Sequence, residues 1–479
     1  MSSRLFAARG ALPLPSPLDR AAPYICPKGH VHPRGRGGRR RGRASALGAT
    51  LLAAALGCTF NDPLPEDLGA CPDDSAAPEP TPGLTYYRDI QPLLAARCGE
   101  CHRDGGIAPF AFDTYASAYP ARDLLAQVVA ARTMPPWPPG RCCEEYLHDR
   151  ALTDDEVAAI VGWAEEGAPE GAPADSPAPE DLPPGEVGLS RVDLELTMPA
   201  AYTPSDPDGD EVRCFVLDWP EDQQRFITGL DVRPGDPDTV HHAIVYAVPP
   251  AKAAVYEALA DADEAPGWSC PGGLAEGGDT VVGGWVPGSR GYDFPNRIGR
   301  GVAPGAKIIL SVHYRFPPAT PSSDQTAIAL RLDDAVDREI QGLAVYNPAW
   351  LVGKAMKIPA GDDDVRFTYG YDPAVYTGGA ALIHNVSLHM HERGASGSLA
   401  VERADGSVDC LLNIDDWDYD WQGDYWLADP VELRTGDRLK VECHFDNSAS
   451  NQRPGEEPKE LWWGDDLEMC IATVLVTAP

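Results

Sequence analysis

Two histidines two residues apart, His389 and His391 in the stretch SLHMHERG, sit in an apolar run. Side chains at i and i+2 of a strand point to one face, so the two imidazoles converge and Met390 turns away. Two neutral imidazoles on one face form a metal chelate; the same pattern also serves as a buried, hydrogen-bonded pair. A second chemical signature is CGECH, Cys98 to His102. In C-x-x-C-H the thiols bond covalently to haem vinyl groups and the histidine takes an axial iron position. A zinc site would need a second ligand pair, and this segment has none at suitable spacing. A redox dithiol does not require the histidine. The expectation is one covalently attached haem c on Cys98, Cys101 and His102. A later loop, TMPPWPP, offers Met134 as sixth ligand on a proline-stiffened backbone, with His148 as competitor. A thioether there would stabilise the ferrous state and raise the potential.

The elements that must position these groups change character along the chain. Residues 84–170 read as helical, in YYRDIQPLLAARC, ARDLLAQVVAAR and LTDDEVAAIVGWAEEG. The last opens on a capping box, Thr153 as N-cap and Glu156 three residues on. Extended Pro/Ala/acid-rich linkers bracket this unit, at 58–83 and 171–188, and the second reads as a flexible tether. After 189, short apolar or alternating runs such as RVDLELTM, RFITGLDV, HHAIVYAV, KIILSVHYRF, DRLKVECHF and EMCIATVLV alternate with turn residues. That is an all-β pattern. At 479 residues the chain is too long for one small core, and about three domains are expected.

Lys and Arg number 39 against 73 Asp and Glu, a net charge of −34. Residues 1–57 carry ten basic groups and one acid; the rest carries 29 basic and 72 acidic residues. So acidic a body speaks against nucleic acid or an anionic surface as partner through bulk charge. The basic N-terminus, RGRGGRRRGR followed by ASALGATLLAAALG, reads as a signal peptide over 1–57, too short in its apolar part to span a bilayer. It ends in ALGC, which resembles a bacterial lipobox, with Ala55 where leucine is preferred. Cys58 would then carry lipid. The expected place is the bacterial cell envelope, as an outer-membrane lipoprotein facing the periplasm or the cell surface, touching membrane through the anchor alone. Disulfides are allowed there.

In the β region the histidines are His241, His242, His313, His384, His389, His391 and His444, with Met469 in DLEMC. The runs HHAIVYAV, GYDFPNRIGRGVAPGAKIILSVHYRFP, LHMHERG and DLEMC, in this order over roughly 200–479, resemble the copper type II, ascorbate-dependent monooxygenases. That family includes peptidylglycine alpha-hydroxylating and dopamine beta-monooxygenases. The resemblance implies two antiparallel β-sandwich domains of jelly-roll type, 189–342 and 343–479, preceded here by the small all-α cytochrome c-like unit at 84–170. It implies two copper ions. One is held by His241, His242 and His313 and passes electrons; the other is held by His389, His391 and Met469, where O2 binds and a C–H bond breaks. It also implies the disulfides Cys214–Cys270 and Cys443–Cys470, and leaves Cys71, Cys142, Cys143 and Cys410 unpaired by any argument.

A thioether with two imidazoles suits Cu(I) and argues against zinc. The implied activity is C–H hydroxylation with O2, electrons entering from the haem unit, from ascorbate or another reductant, or from a redox partner protein. The other class of function is a copper-binding or electron-transfer lipoprotein without oxygen chemistry; one HxH with a single thioether and a separate three-histidine site favours the enzyme. Peptide-amidating members bind a carboxylate with an Arg two residues before the HxH, and an Asn and a Tyr two and four residues after the Met ligand. This chain has Ser387, Ile471 and Thr473 there, which implies a small, neutral substrate. His384 and His444 match no ligand and read as core or surface groups. SDPDGDE at 205–211 lacks the downstream glutamate of a calcium loop and reads as a turn. WDYDWQGDYW reads as a loop packed on the second sandwich.

Overall fold

The computed structural model describes residues 62–70, 78–104, 108, 110–177, 188–206, 210–270, 280–287, 289–315, 322–351, 355–453, 455–464 and 467–479. The expected signal segment, Cys58 and Cys71 lie outside these residues, as do the three central residues of SDPDGDE, 207–209. The described chain is mainly β, in four sheets paired almost throughout antiparallel. One five-stranded sheet has the order Trp268–Ser269, Asp210–Asp218, Lys307–Arg315, Val240–Val248, Thr280–Trp285. It shares a core with a sheet ordered Leu194–Thr197, Ala327–Asp333, Arg225–Arg233, Ile298–Val302, Arg338–Glu339. The period of two decides which side chains enter: Phe215, Leu217, Ile308, Leu310 and Val312 meet Ile227, Leu230, Ile328 and Leu330.

The second pair of sheets repeats the arrangement. Gln341–Val345, Ile471–Thr477, Ala381–His389 and Asp424–Leu433 form one sheet. Val365–Tyr371, Arg438–Phe445, Gly394–Glu402 and Val408–Ile414 form the other. Val386, Leu388, Val474 and Val476 pack on Leu399, Val401, Leu439 and Val441. Ile340 packs in the first core and Leu343 in the second. The disulfides Cys214–Cys270 and Cys443–Cys470 are both present. The two units meet through Trp426, whose ring stacks on Phe294 of the first at 5.1 Å.

Helices Gln91–Arg97, Arg122–Ala130 and Asp154–Glu165 fall in the three runs expected. Thr153 Oγ1 accepts the Glu156 N–H at 3.2 Å while Glu156 Oε2 accepts the Thr153 N–H at 2.8 Å, the reciprocal cap. Unexpected is how firmly this unit is docked. Cys143 is bonded to Cys410, and Cys142 is disulfide-bonded as well. Tyr146 is buried in the second core and its hydroxyl donates to Leu411 O at 2.8 Å. Backbone bonds join Gly140 to Asn413 O, Leu147 to Trp426 O and Ala428 to Glu145 O. The helical unit is thus not merely tethered through 171–188: the segment 137–147 pins it to the second sandwich. Among the described residues no helix is long and apolar enough to cross a membrane.

His384 is the extra residue of a bulge in Ala381–His389, between the paired positions Ile383 and Asn385. It is 1% exposed, its Nε2 meets Thr477 Oγ1 at 2.9 Å, and its Nδ1 has no partner among the described residues. Burial lowers its pKa to about 4. Because the folded value is depressed, the contribution to stability is present above pH 6.5 and is lost as pH falls toward 4, by up to about 3 kcal/mol. His384→Gln keeps a partner for Thr477 and is expected to flatten denaturation midpoints between pH 6.5 and 4; an unchanged slope would contradict this.

Candidate metal centre

Adjacent residues of a regular strand point to opposite faces, so His241 and His242 would not converge in a flat ladder. The ladder is not flat. Val240 pairs with Tyr314 and His242 with His313, which leaves His241 as the extra residue of a bulge. A bulge re-aims a side chain, and here it brings three rings together. His242 Nδ1 lies 3.2 Å from His241 Nδ1, which lies 3.4 Å from His313 Nδ1. Bonds of about 2.0–2.1 Å at tetrahedral angles, as in zinc sites, would set ligand nitrogens roughly 3.3 Å apart. The three rings therefore stand as metal ligands would, and they form the one such group found among the described residues. Burial, then the neighbouring imidazoles, keeps His242 neutral far below its usual range.

The HxH pair presents the other ring nitrogen. His389 Nε2 and His391 Nε2 are 3.1 Å apart, while Met390 is wholly buried in the second core. His389 pairs across the ladder with Ile471, the first residue of its strand, and Met469, 6% exposed, lies two residues before it in the chain. Glu468 fixes this segment. Its buried carboxylate accepts the N–H of His391 at 2.9 Å, of Arg393 at 2.6 Å, and of Met469. Burial outweighs those donors and pushes its carboxyl to about 8.

The loop 415–423, read from sequence as packing alone, supplies groups to both clusters. His241 Nε2–H donates to Asp420 Oδ1 at 3.0 Å and His389 Nδ1–H to Gln422 Oε1 at 2.6 Å. The His241 bond and the Arg315 guanidinium hold the Asp420 carboxyl below its usual range. Tyr419 stacks on His241 at 5.3 Å and meets His313 and His391 at 6.2 and 6.1 Å. A charged cavity of about 390 Å³ opens behind this loop, with Arg315, Glu392, Arg393 and Arg453 in its wall. Asp424, exposed at its surface, faces Ser387 across the ladder and accepts the Gly284 N–H of the first sandwich; the protein around it raises its carboxyl to about 6. The sequence signal for all these residues was the density of Asp, Trp and Tyr in one loop, which says nothing of partners.

In the helical unit, the N–H groups of Cys101 and His102 bond Cys98 O at 3.2 and 2.8 Å, closing a tight turn over the motif. His102 Nδ1–H donates to Phe110 O at 2.9 Å, so Nε2 carries the free lone pair. Cys98 and Cys101 are not disulfide-bonded, and burial pushes the Cys98 thiol up to about 12. A raised thiol is the reverse of a thioredoxin-like nucleophile. Met134 lies in the loop after Arg122–Ala130, and His148 has left-handed backbone at φ 59°. Glu100, inside CGECH, is ion-paired with Arg290 of the first sandwich. His444 contacts Glu442 at 3.1 Å, away from both clusters.

No family model and no curated protein matches the chain. Among solved structures, N-glycanase F is 10% identical over 60% of this chain and 95% of its own, with a TM-score of 0.26. The capsid protein P2 of bacteriophage PM2 is 10% identical over 60% and 97%, with a TM-score of 0.24. Likeness at that level carries no argument here.

Proposed function

We propose that the chain is a copper-dependent monooxygenase that hydroxylates a C–H bond of a small substrate with O2, its β part built as two jelly-roll domains. The observation that carries this reading is the pair of unlike clusters joined by one loop: three converging Nδ1 atoms, and two converging Nε2 atoms beside the strand Ile471–Thr477, which Met469 precedes by two residues. His241, His242 and His313 would hold one copper, and His389, His391 and Met469 the other. Bound copper would supply one-electron cycling at the first cluster and O2 activation at the second, as its ligand preferences suit. The chain's own part is to keep His242 and His389 neutral by burial, to aim lone pairs through Asp420 and Gln422, and to hold the backbone of Met469 through Glu468. Cys98, Cys101 and His102 would hold a covalent haem c, with Met134 as a candidate further ligand, and the haem would supply one-electron entry. The Glu100–Arg290 pair supports a fixed entry face rather than a swinging tether. ALGC at 55–58 is the basis for envelope anchoring.

The test is copper stoichiometry with O2 consumption on the purified, reduced protein: two coppers and reductant-dependent uptake are expected. Two coppers without uptake would instead favour a copper-binding or electron-transfer lipoprotein. His102→Ala is expected to remove the haem spectrum and slow turnover with a protein donor; an unchanged rate would remove the haem from the route.

The substrate is expected to lack a carboxylate. Ser387 and Thr473 oppose each other in the ladder, Ile471 opposes His389, and Asp424 flanks Ser387. Among these described residues none is cationic, and an anionic group would meet a carboxylate instead of the bidentate arginine such a group needs. Glycine-extended peptides should therefore be hydroxylated far less efficiently than neutral aromatic or aliphatic compounds; saturable peptide turnover would sink this.

A further inference from the structure

The loop 415–423 leaves the second sandwich and is held to it at Trp417. The Trp417 N–H bonds Ala395 O at 2.9 Å and its Nε1–H donates to His391 O at 3.1 Å. Within the loop, the Asp420 N–H bonds Asp418 Oδ1 at 2.9 Å and Gln422 Nε2–H donates to Tyr419 O at 3.0 Å. Yet Asp420 reaches His241, which belongs to the first sandwich, while Gln422, two residues on, reaches His389 of the second. Tyr419 touches rings of both clusters. A neutral imidazole offers one lone pair, and the group hydrogen-bonded to the other nitrogen decides which. Asp420 thereby makes His241 an Nδ1 donor, and Gln422 makes His389 an Nε2 donor.

Resting on the copper reading above, we propose that the loop 415–423 is a shared positioning element that makes the two metal sites fill cooperatively. Asp420 and Gln422 select one ligand nitrogen in each cluster, and Tyr419 ties the ring positions together. With one residue between Asp420 and Gln422, neither can shift without the other. Metal at the first cluster fixes His241, hence Asp420 and the loop, so the second cluster binds without meeting that ordering cost again. The effect must be reciprocal, the second metal favouring the first by the same factor.

The test uses the full chain and copper alone, titrated as Cu(I) against a competing chromophoric chelator and followed as Cu(II) by electron paramagnetic resonance. In the wild type the first copper is expected to raise affinity for the second about fivefold or more. Asp420→Ala should weaken the three-histidine site about 10–100-fold and alter its spectrum. Gln422→Leu should do the same at the HxH site, and Gln422→Glu, which keeps an acceptor, should restore it. Tyr419→Leu should leave two sites that fill independently. Far-ultraviolet circular dichroism and disulfide mapping verify that each variant is folded. Independent filling in the wild type, or unchanged affinities and spectra in Asp420→Ala and Gln422→Leu, would overturn the proposal while leaving the copper reading standing. A wild type that binds no copper would overturn both.

Discussion

Met469→Ile is expected to fold as the parent does, to lose Cu(I) affinity at the HxH site, and to show no substrate-coupled O2 uptake. Met469 is almost fully buried, and isoleucine has nearly the same volume, so the packing cost should stay below about 1.5 kcal/mol. The Glu468 carboxylate holds the backbone of this residue rather than its side chain, so the segment keeps its place. What changes is chemical. A polarisable sulfur is replaced by a methyl carbon, and the two Nε2 atoms of His389 and His391 are left without a third donor. Soft Cu(I) depends on that donor more than zinc would. Affinity should fall at least about tenfold at this site, with the three-histidine cluster unaltered. Chelator competition and oxygen-electrode traces check both halves. Wild-type coupling of O2 uptake in this variant would remove Met469 from the site.

Parts of this centre were open to a reading of the chain alone because their geometry is local. His389 and His391 share a face by the period of a strand, and Ala381–His389 is such a strand. The capping box at Thr153 is likewise a matter of four residues. His241 and His242 are a harder case. Their adjacency contradicts the period of two, and only the bulge opposite His313 makes them converge; nothing in HHAIVYAV announces a bulge. Asp420 was illegible for a different reason. Its partner lies 179 residues away on another sandwich, and an aspartate in a loop rich in aspartates carries no mark of its contact. Cys143 and Cys410, 267 residues apart, pair only once the helical unit is docked, which a Pro-rich tether does not suggest. Met469 came from resemblance, and its place beside Ile471, the ladder partner of His389, is what the register adds.

Removing the Cys443–Cys470 bridge should cost the second sandwich about 2–5 kcal/mol and should disturb one metal site selectively. Both sulfurs are fully buried in its core. Cys443 sits in Arg438–Phe445, opposite Gly397, and Cys470 directly precedes Ile471–Thr477, so the bond spans the two sheets. With a separation of 27 residues, loop-closure entropy alone predicts roughly 3.5 kcal/mol. The consequence for the site follows from chain order. Cys470 lies between Met469 and the strand residue paired with His389, so the bridge fixes one side of Met469 while Glu468 fixes the other. A Cys443→Ala, Cys470→Ala double variant is therefore expected to lower the denaturation midpoint of the second sandwich and weaken Cu(I) binding at the HxH site. The spectrum of the three-histidine site should stay as it was. Cys143→Ser with Cys410→Ser provides the contrast: that bond pins the helical unit and touches neither cluster, so metal affinity should hold while the segment 137–147 becomes more open to proteolysis. Equal losses of affinity in both double variants would mean that the disulfides act on stability alone, and that Met469 is held by Glu468 without the bridge.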